Sequence, residues 1–344
     1  MVVDLTGGLK PDWEYSFAEP SPTEGMRDAA NLWVWDDRGL IGLPRFGVES
    51  VAPDWSKNQM EMSVAFPDGR LLRNWEHGAG HPTKGPDGRH TRLGAGPLEL
   101  ECIEPFQRYR ATYDGSATDT SFEALLQRAP GSKQATVQYE IECEPVVPPW
   151  VQGTMSEDAA RMLSPDNPEG SFMGGERLEQ LCRAKGRVAI NGVELTFTGG
   201  ALRIRRKGVR NTPGFWGHCW QSAVFPSGRA FGYIAYPPRP DGQPSYNEGY
   251  VFTGEGKLIP ARVIQAPWLT GFQYKGEDVS LVLESGLGTI RISAETAMGM
   301  PSLPDSATGF PPLFQSIVRY CWDGEEAYGM MERSNLPARV KLPA

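Results

Sequence analysis

One histidine stands between two tryptophans at Trp216-Gly-His218-Cys-Trp220, inside the run from Arg210 to Tyr250. An imidazole gives or takes a proton near neutral pH, and indole faces hold an apolar molecule or a developing cation. His218 is the only histidine of the C-terminal half. If it opens a strand, Cys219 points the other way and Trp220 shares its face. By the same alternation Tyr246 and Glu248 share a face. A carboxyl whose pKa is raised in a dry pocket is the other group able to deliver a proton there. Trp216, Trp220, Tyr236 and Trp268 supply aromatic walls, Gln180 can orient a water or a polar group, and Arg210 can make either a buried ion pair or a substrate contact. His218, Glu248 and Tyr246 are therefore the catalytic candidates, and Trp216, Trp220, Trp268, Tyr236, Gln180 and Arg210 the substrate-binding ones. The structural alternatives stay open at each: a packed histidine, a polar strand end, an exposed glutamine.

Other chemistries find less support. His77-Gly-Ala-Gly-His81 has the His-x3-His spacing of a helical metal site, but glycines and prolines surround it and no helix is plausible. It reads as a mobile loop, a candidate lid, and no metal or other cofactor is expected. Gly94-Ala-Gly96 lacks the lysine and helix of a phosphate loop, and no Gly-x-Ser-x-Gly elbow occurs. Arg203, Arg205 and Arg206 alternate with Leu202 and Ile204 as on a solvated strand face, with an anion clamp as the alternative.

The elements that must position these residues are strands. Sixteen strand-like runs recur from Ala30–Trp35 to Thr289–Glu295, against one helical candidate, Ser156–Leu163. The fold class is therefore all-β. Phe66-Pro-Asp-Gly-Arg70 and Phe225-Pro-Ser-Gly-Arg229 are matching hairpin turns 159 residues apart in a chain of 344, which suggests two similar β-domains. The expected division is residues 1–150, a linker at 151–175 rich in proline and glycine, and residues 176–344. Closed barrels hide their strand edges and can hold one apolar ligand. A net charge of −8 argues against a nucleic-acid partner, and no apolar run reaches the ~18 residues of a membrane span. Five scattered cysteines without a Cys-x-x-Cys pair, and a start with neither basic nor apolar character, point to reduced thiols and a cytoplasmic location.

The run Leu98-Glu-Leu-Glu-Cys-Ile-Glu-Pro-Phe-Gln-Arg-Tyr-Arg-Ala-Thr-Tyr-Asp-Gly115 resembles the N-terminal module of a group of bacterial proteins. Glu179-Gln180, Gly186-Arg-Val188, Gly192-Val-Glu194, Arg210, Gly217-His218-x-Trp220 and Pro226-x-Gly-Arg229 resemble its C-terminal module. The group is similar to carotenoid 1,2-hydratase (hydroxyneurosporene synthase), AttH-like proteins and kievitone hydratase, with tocopherol cyclase and fungal Diels–Alderases further off. The resemblance covers roughly residues 25–295. It implies two lipocalin-like antiparallel β-barrels packed end to end, a hydrophobic ligand, and hydration or cyclisation of an alkene without a cofactor. In the related module His-Ser-Trp-Gly often follows the arginine directly, whereas here Asn211-Thr-Pro-Gly-Phe-Trp-Gly217 intervenes before His218. The resulting expectation is a hydratase-, cyclase- or isomerase-like enzyme that moves a proton on a terpenoid, steroid or aromatic substrate. A non-catalytic carrier of a hydrophobic small molecule is the alternative. The partner expected is that small molecule, with a homodimer left open.

Overall fold

The computed structural model describes residues 3–342 except 130, 132, 165, 166, 168–171, 173, 240 and 305–309. It is built almost wholly from antiparallel strands. The first eleven are β1 (Met26–Asp36), β2 (Gly42–Val51), β3 (Asn58–Ala65), β4 (Arg70–Gly78), β5 (Arg92–Ala95), β6 (Leu98–Glu104), β7 (Arg108–Ser121), β8 (Lys133–Pro145), β9 (Trp150–Val151), β10 (Glu176–Ile190) and β11 (Val193–Val209). They form one sheet in the order β4-β3-β2-β1-β11-β10-β8-β7-β6-β5, with β9 beside β10. Because β4 also pairs with β7, the strands from β4 to β7 along that order close into a ring. The other eight, β12 (Gly217–Val224), β13 (Ala230–Ala235), β14 (Asn247–Phe252), β15 (Ile259–Gln265), β16 (Leu281–Ser285), β17 (Gly288–Ser302), β18 (Leu313–Trp322) and β19 (Glu325–Asn335), make a closed barrel in chain order. No helix of the described residues is long and apolar enough to cross a membrane.

The two matching turns have the same hydrogen bonds. Phe66 N–H donates to Arg70 O and Gly69 N–H to Phe66 O; Phe225 N–H donates to Arg229 O and Gly228 N–H to Phe225 O. The helical candidate is α2 (Glu157–Met162), capped by Ser156 Oγ, which accepts from Ala159 N–H. Three expectations need correction. The run at Phe122 is helical, α1 (Phe122–Leu126), because Ser121 Oγ accepts from Ala124 N–H and caps a first turn there. The chain changes sheets between Val209 and Gly217 rather than at 151–175. The stretch 151–175, part of which lies outside the described residues, leads back to β10 and β11, which pair with β8 and β1. Finally, β18 and β19 close the second barrel although the alternation of their sequences does not announce them. Residues 329–335 are buried on both faces, so polar and apolar residues do not alternate there.

Burial on both faces defines the architecture. On β1, Leu32 and Val34 point into the first barrel, while Trp33 and Trp35 point out of it toward the second. On β12, Cys219 and Ala223 point into the second barrel, and Trp220 and Val224 point back at the first. A third apolar core therefore lies between the barrels, centred on Trp33, Trp35, Trp150 and Trp220. Gly200 on β11 makes room for it: an added Cβ would stand 2.5 Å from the Trp35 indole nitrogen.

A candidate active site at the barrel junction

His218 and Trp220 do share a face, but it is the outer face of the second barrel, turned to the junction. Cys219, facing the lumen, meets the Tyr233 hydroxyl at 3.1 Å. Antiparallel pairing sets Ser334 opposite His218 and Glu332 opposite Trp220. Ser334 Oγ accepts the His218 backbone N–H at 3.1 Å and lies 2.7 Å from Nδ1. A hydroxyl that accepts from one donor has its own proton to give, so Nδ1 is assigned as the acceptor. Nε2 then carries the ring proton and donates it to Glu332 Oε1 at 3.0 Å. Gln315 Nε2 donates to the other oxygen, Oε2, at 2.7 Å.

The fourth member is Arg45, from the first sheet. Its backbone has φ 27°, in the left-handed region that a non-glycine residue rarely adopts, and the pairing register of β2 shifts around it. The bulge aims its guanidinium between two carboxylates, Glu61 at 3.0 Å and Glu332 at 3.6 Å. Burial works against a charge on Glu332, but Arg45 and the hydrogen bonds from His218 and Gln315 outweigh it and hold the carboxyl well below the usual range. Burial raises the pKa of Glu61, with Arg45 opposing.

His218, Glu332 and Arg45 border a cavity at the junction, with about 60 Å³ open to water-sized groups. Phe172, Phe215, Phe310, Ile204 and Trp220 form its apolar side. Phe215 lies at the centre, 5.6 Å from the His218 ring, 5.5 Å from Phe310 and 5.7 Å from Phe172. Trp220 is held from three sides. Its Nε1–H donates to Glu179 Oε2 at 3.0 Å, Arg177 stacks 4.5 Å above its ring, and the edge of Trp33 meets it at 5.9 Å. Arg210 also borders the cavity.

The remaining candidates lie elsewhere. Trp216 and Tyr236 form a second aromatic layer behind Phe215, in contact with each other at 5.4 Å. Trp268 packs against the core of the second barrel and edges a surface groove with Gln265 and Val263. Gln180 secures the N-terminal segment: its amide donates to Leu5 O and Val147 O, and its oxygen accepts from Arg203. Glu248 and Tyr246 do meet, with the hydroxyl donating at 2.5 Å, but outside the cavity. The Glu248 carboxylate accepts the Gly153 and Met155 N–H groups at 2.7 Å each and so pins that turn to β14. Burial raises its pKa, against the hydrogen bonds it accepts. We expect Glu248→Ala to cost about 2–3 kcal/mol in urea unfolding, since it orphans buried donors, and Glu248→Gln to cost less than half of that because an amide oxygen still accepts. Equal losses for the two would refute this anchoring role.

The arginines of β11 are not on a solvated face. Arg203 pairs with Glu14 and stacks 4.1 Å from the Tyr109 ring, and Arg205 pairs with Asp28, because the N-terminal segment folds over them. Arg206, on the opposite face, borders the junction cavity. In the histidine-rich loop, His81 lies 2.9 Å from Gly96 O and His90 2.7 Å from Thr83 Oγ1, so hydrogen bonds tie this loop down. Among the described residues no group of three or more His, Cys, Asp or Glu side chains is placed to hold a metal ion.

Sequence reasoning missed Glu332, Ser334, Arg45 and Arg177. The i, i+2 spacing of Glu332 and Ser334 was the available signal, hidden because 325–335 did not read as a strand.

Solved structures share this architecture along their whole length. The protein assigned as AttH from Nitrosomonas europaea has a TM-score of 0.54 at 13% identity, covering 90% of this chain and 91% of its own. Kievitone hydratase from Nectria haematococca has a TM-score of 0.51 at 10% identity, covering 95% and 93%. CghA has a TM-score of 0.50 at 9% identity, covering 94% of each chain. The fold is thus that of the group the sequence resembles. No curated protein matches the chain. A family model does match, over residues 10–337, and the chain belongs to that family, described as "Domain of unknown function (DUF7064)".

Proposed function

We propose that the chain is a hydratase-, cyclase- or isomerase-like enzyme that moves a proton on a hydrophobic substrate in the junction cavity, without a cofactor. The observation that carries this reading is the buried His218–Glu332 pair at the wall of a cavity also lined by Phe172, Phe215, Phe310 and Trp220. In the proposed step, His218 takes a second proton at Nδ1, and the Glu332 carboxylate beside Nε2 balances the charge of the imidazolium. The imidazolium then protonates an alkene or carbonyl held against Phe215 and Trp220, whose ring faces stabilise the developing cation. Water, or a group of the substrate itself, captures the cation and returns the proton. The first outcome is hydration and the second cyclisation; isomerisation results instead when a neighbouring carbon of the cation loses a proton to the imidazole. Glu332 replaces Glu248 as the carboxylate of this site. Substrate pockets are usually about 300–1,000 Å³, so an apolar substrate enters by displacing Phe172 and Phe310. The five free cysteines suit a reducing compartment, and we place the protein in the cytoplasm.

The test is incubation of the full chain with a lipophilic metabolite extract in deuterated water, followed by mass spectrometry. Compounds that gain the elements of water, or take up solvent deuterium at carbon, are expected with the wild-type chain. His218→Gln is expected to slow their formation by about 10²–10⁴-fold. If a molecule binds and returns chemically unaltered, with no deuterium taken up by any compound, the enzyme reading is refuted and the carrier reading stands.

A further inference from the structure

Among the described residues, the lining of the junction cavity carries more positive than negative charge. Guanidinium groups of Arg45, Arg177, Arg206 and Arg210 border it, against the carboxylates of Glu49 and Glu332. Both carboxylates are already engaged: Glu332 by His218, Gln315 and Arg45, and Glu49 by Arg27 at 2.8 Å. Arg177 is held by Glu179 at 2.6 Å and Arg45 by Glu61 at 3.0 Å. Arg210 differs from these. Among the described residues its hydrogen bond is a long one, from Nε to the Phe172 carbonyl at 3.5 Å, and no carboxylate forms an ion pair with it.

The energetics agree with the geometry. Burial pushes the Arg210 pKa down to about 10, with Glu49 opposing and Arg45, Arg27 and Arg177 adding to the fall. Arg206 is lowered as well, by burial and then by Arg210, Arg177 and Arg45. Like charges gathered in a space of low dielectric are costly unless an anion joins them. A guanidinium offers a planar fork that matches a carboxylate in two parallel hydrogen bonds. Beside these forks the walls are apolar: Phe172, Phe215, Phe310, Ile204, Ile234 and Leu313.

We infer that the junction cavity takes a hydrophobic organic acid, its carboxylate seated at Arg210 and its apolar body lying along Phe215 and Phe310. This deepens the proposed function and rests on it for the step at His218. The carboxylate anchors one end of the substrate, and the apolar chain presents its reacting carbon to the imidazole.

The test is calorimetric titration of the full chain near neutral pH with octanoate, methyl octanoate and octyl phosphate. Octanoate is expected to bind about tenfold or more tightly than its methyl ester. Arg210→Gln is expected to weaken octanoate by about tenfold and to leave the ester unchanged, the ester serving as the measure of an intact pocket. An ester that binds as well as the acid, an Arg210→Gln chain that binds octanoate like wild type, or a preference for octyl phosphate over octanoate would each overturn the inference. If Arg210→Gln does not fold, the acid-over-ester ratio of the wild-type chain decides alone. The two readings fail separately. A chain that binds octanoate but incorporates no solvent deuterium into any compound loses only the proton-transfer reading. A chain that hydrates neutral compounds and ignores octanoate loses only this inference.

Discussion

Glu332→Ala is expected to lower the unfolding free energy by about 3 kcal/mol, because it leaves the buried His218 and the partly buried Arg45 without their shared carboxylate. Urea unfolding followed by circular dichroism checks the value. A loss below about 1 kcal/mol would mean that water reaches the site and replaces the carboxylate, and the site would not be the dry chamber that proton transfer requires. Glu332→Gln keeps the shape and one acceptor oxygen, so its loss should be smaller. What remains between the two substitutions measures the charge alone. The effect also has a pH signature. The folded-state pKa of Glu332 lies below its ordinary value of 4.5, so the unfolded chain binds the proton more readily than the folded one. Its contribution is therefore fully present above pH 4.5 and lost as pH falls toward the folded-state pKa. The wild-type chain should lose stability through this acid window, and Glu332→Gln should show a flatter profile there. Parallel profiles for the two would mean that Glu332 is not held in its charged form by Arg45 and His218.

The parts of the fold that sequence reveals are those where one face differs from the other. β8 alternates buried and exposed residues along nearly its whole length, and Gln134–Cys143 reads as a strand without help. The paired turns at Phe66 and Phe225 are legible because their glycines sit at positive φ, where few other residues go. The junction is a different case. β12 is buried at all eight positions, so its sequence says that it is internal but not which face meets which neighbour. The equal spacing of His218 and Trp220 fixed their common face, and only pairing with β19 and packing on Trp33 shows that the face points outward. Arg45 was beyond reach for a further reason. It acts through a local bulge, which shifts the side chain to a face that period-two counting does not assign to it. Gln180 and Glu248 illustrate the converse. Both are buried polar residues, as a site residue would be, but beside Arg203 and Tyr246 they hold backbone groups of distant segments, Leu5 and Val147 for one and Gly153 and Met155 for the other. The backbone partners leave no pattern near either residue in the chain.

Trp220→Ala is expected to cost about 3–5 kcal/mol, as a buried aromatic side chain is removed from the core that joins the barrels. Trp220→Phe separates the causes. It keeps most of the ring that Trp33 and Arg177 contact, but removes the N–H that satisfies Glu179, a loss of about 1–3 kcal/mol for a buried acceptor. Arg177 still pairs with Glu179 at 2.6 Å, which places the expected cost near the lower end. A double-mutant cycle with Trp33→Ala should return a coupling of about 0.5–1.5 kcal/mol, the scale of an edge-on aromatic pair. A coupling indistinguishable from zero would mean that the two indoles only share a neighbourhood. The consequence reaches function because Trp220 is at once the join between the barrels and a wall of the cavity. If the barrels unfold together in the wild-type chain and in two steps in Trp220→Ala, the core between them is what makes them one cooperative unit. The cavity then exists only in the joined state, since Arg45, Arg206 and Glu49 come to it from the first sheet and His218 and Glu332 from the second. On the proposed reading, proton transfer at His218 thus depends on Arg45, which reaches Glu332 from the other barrel.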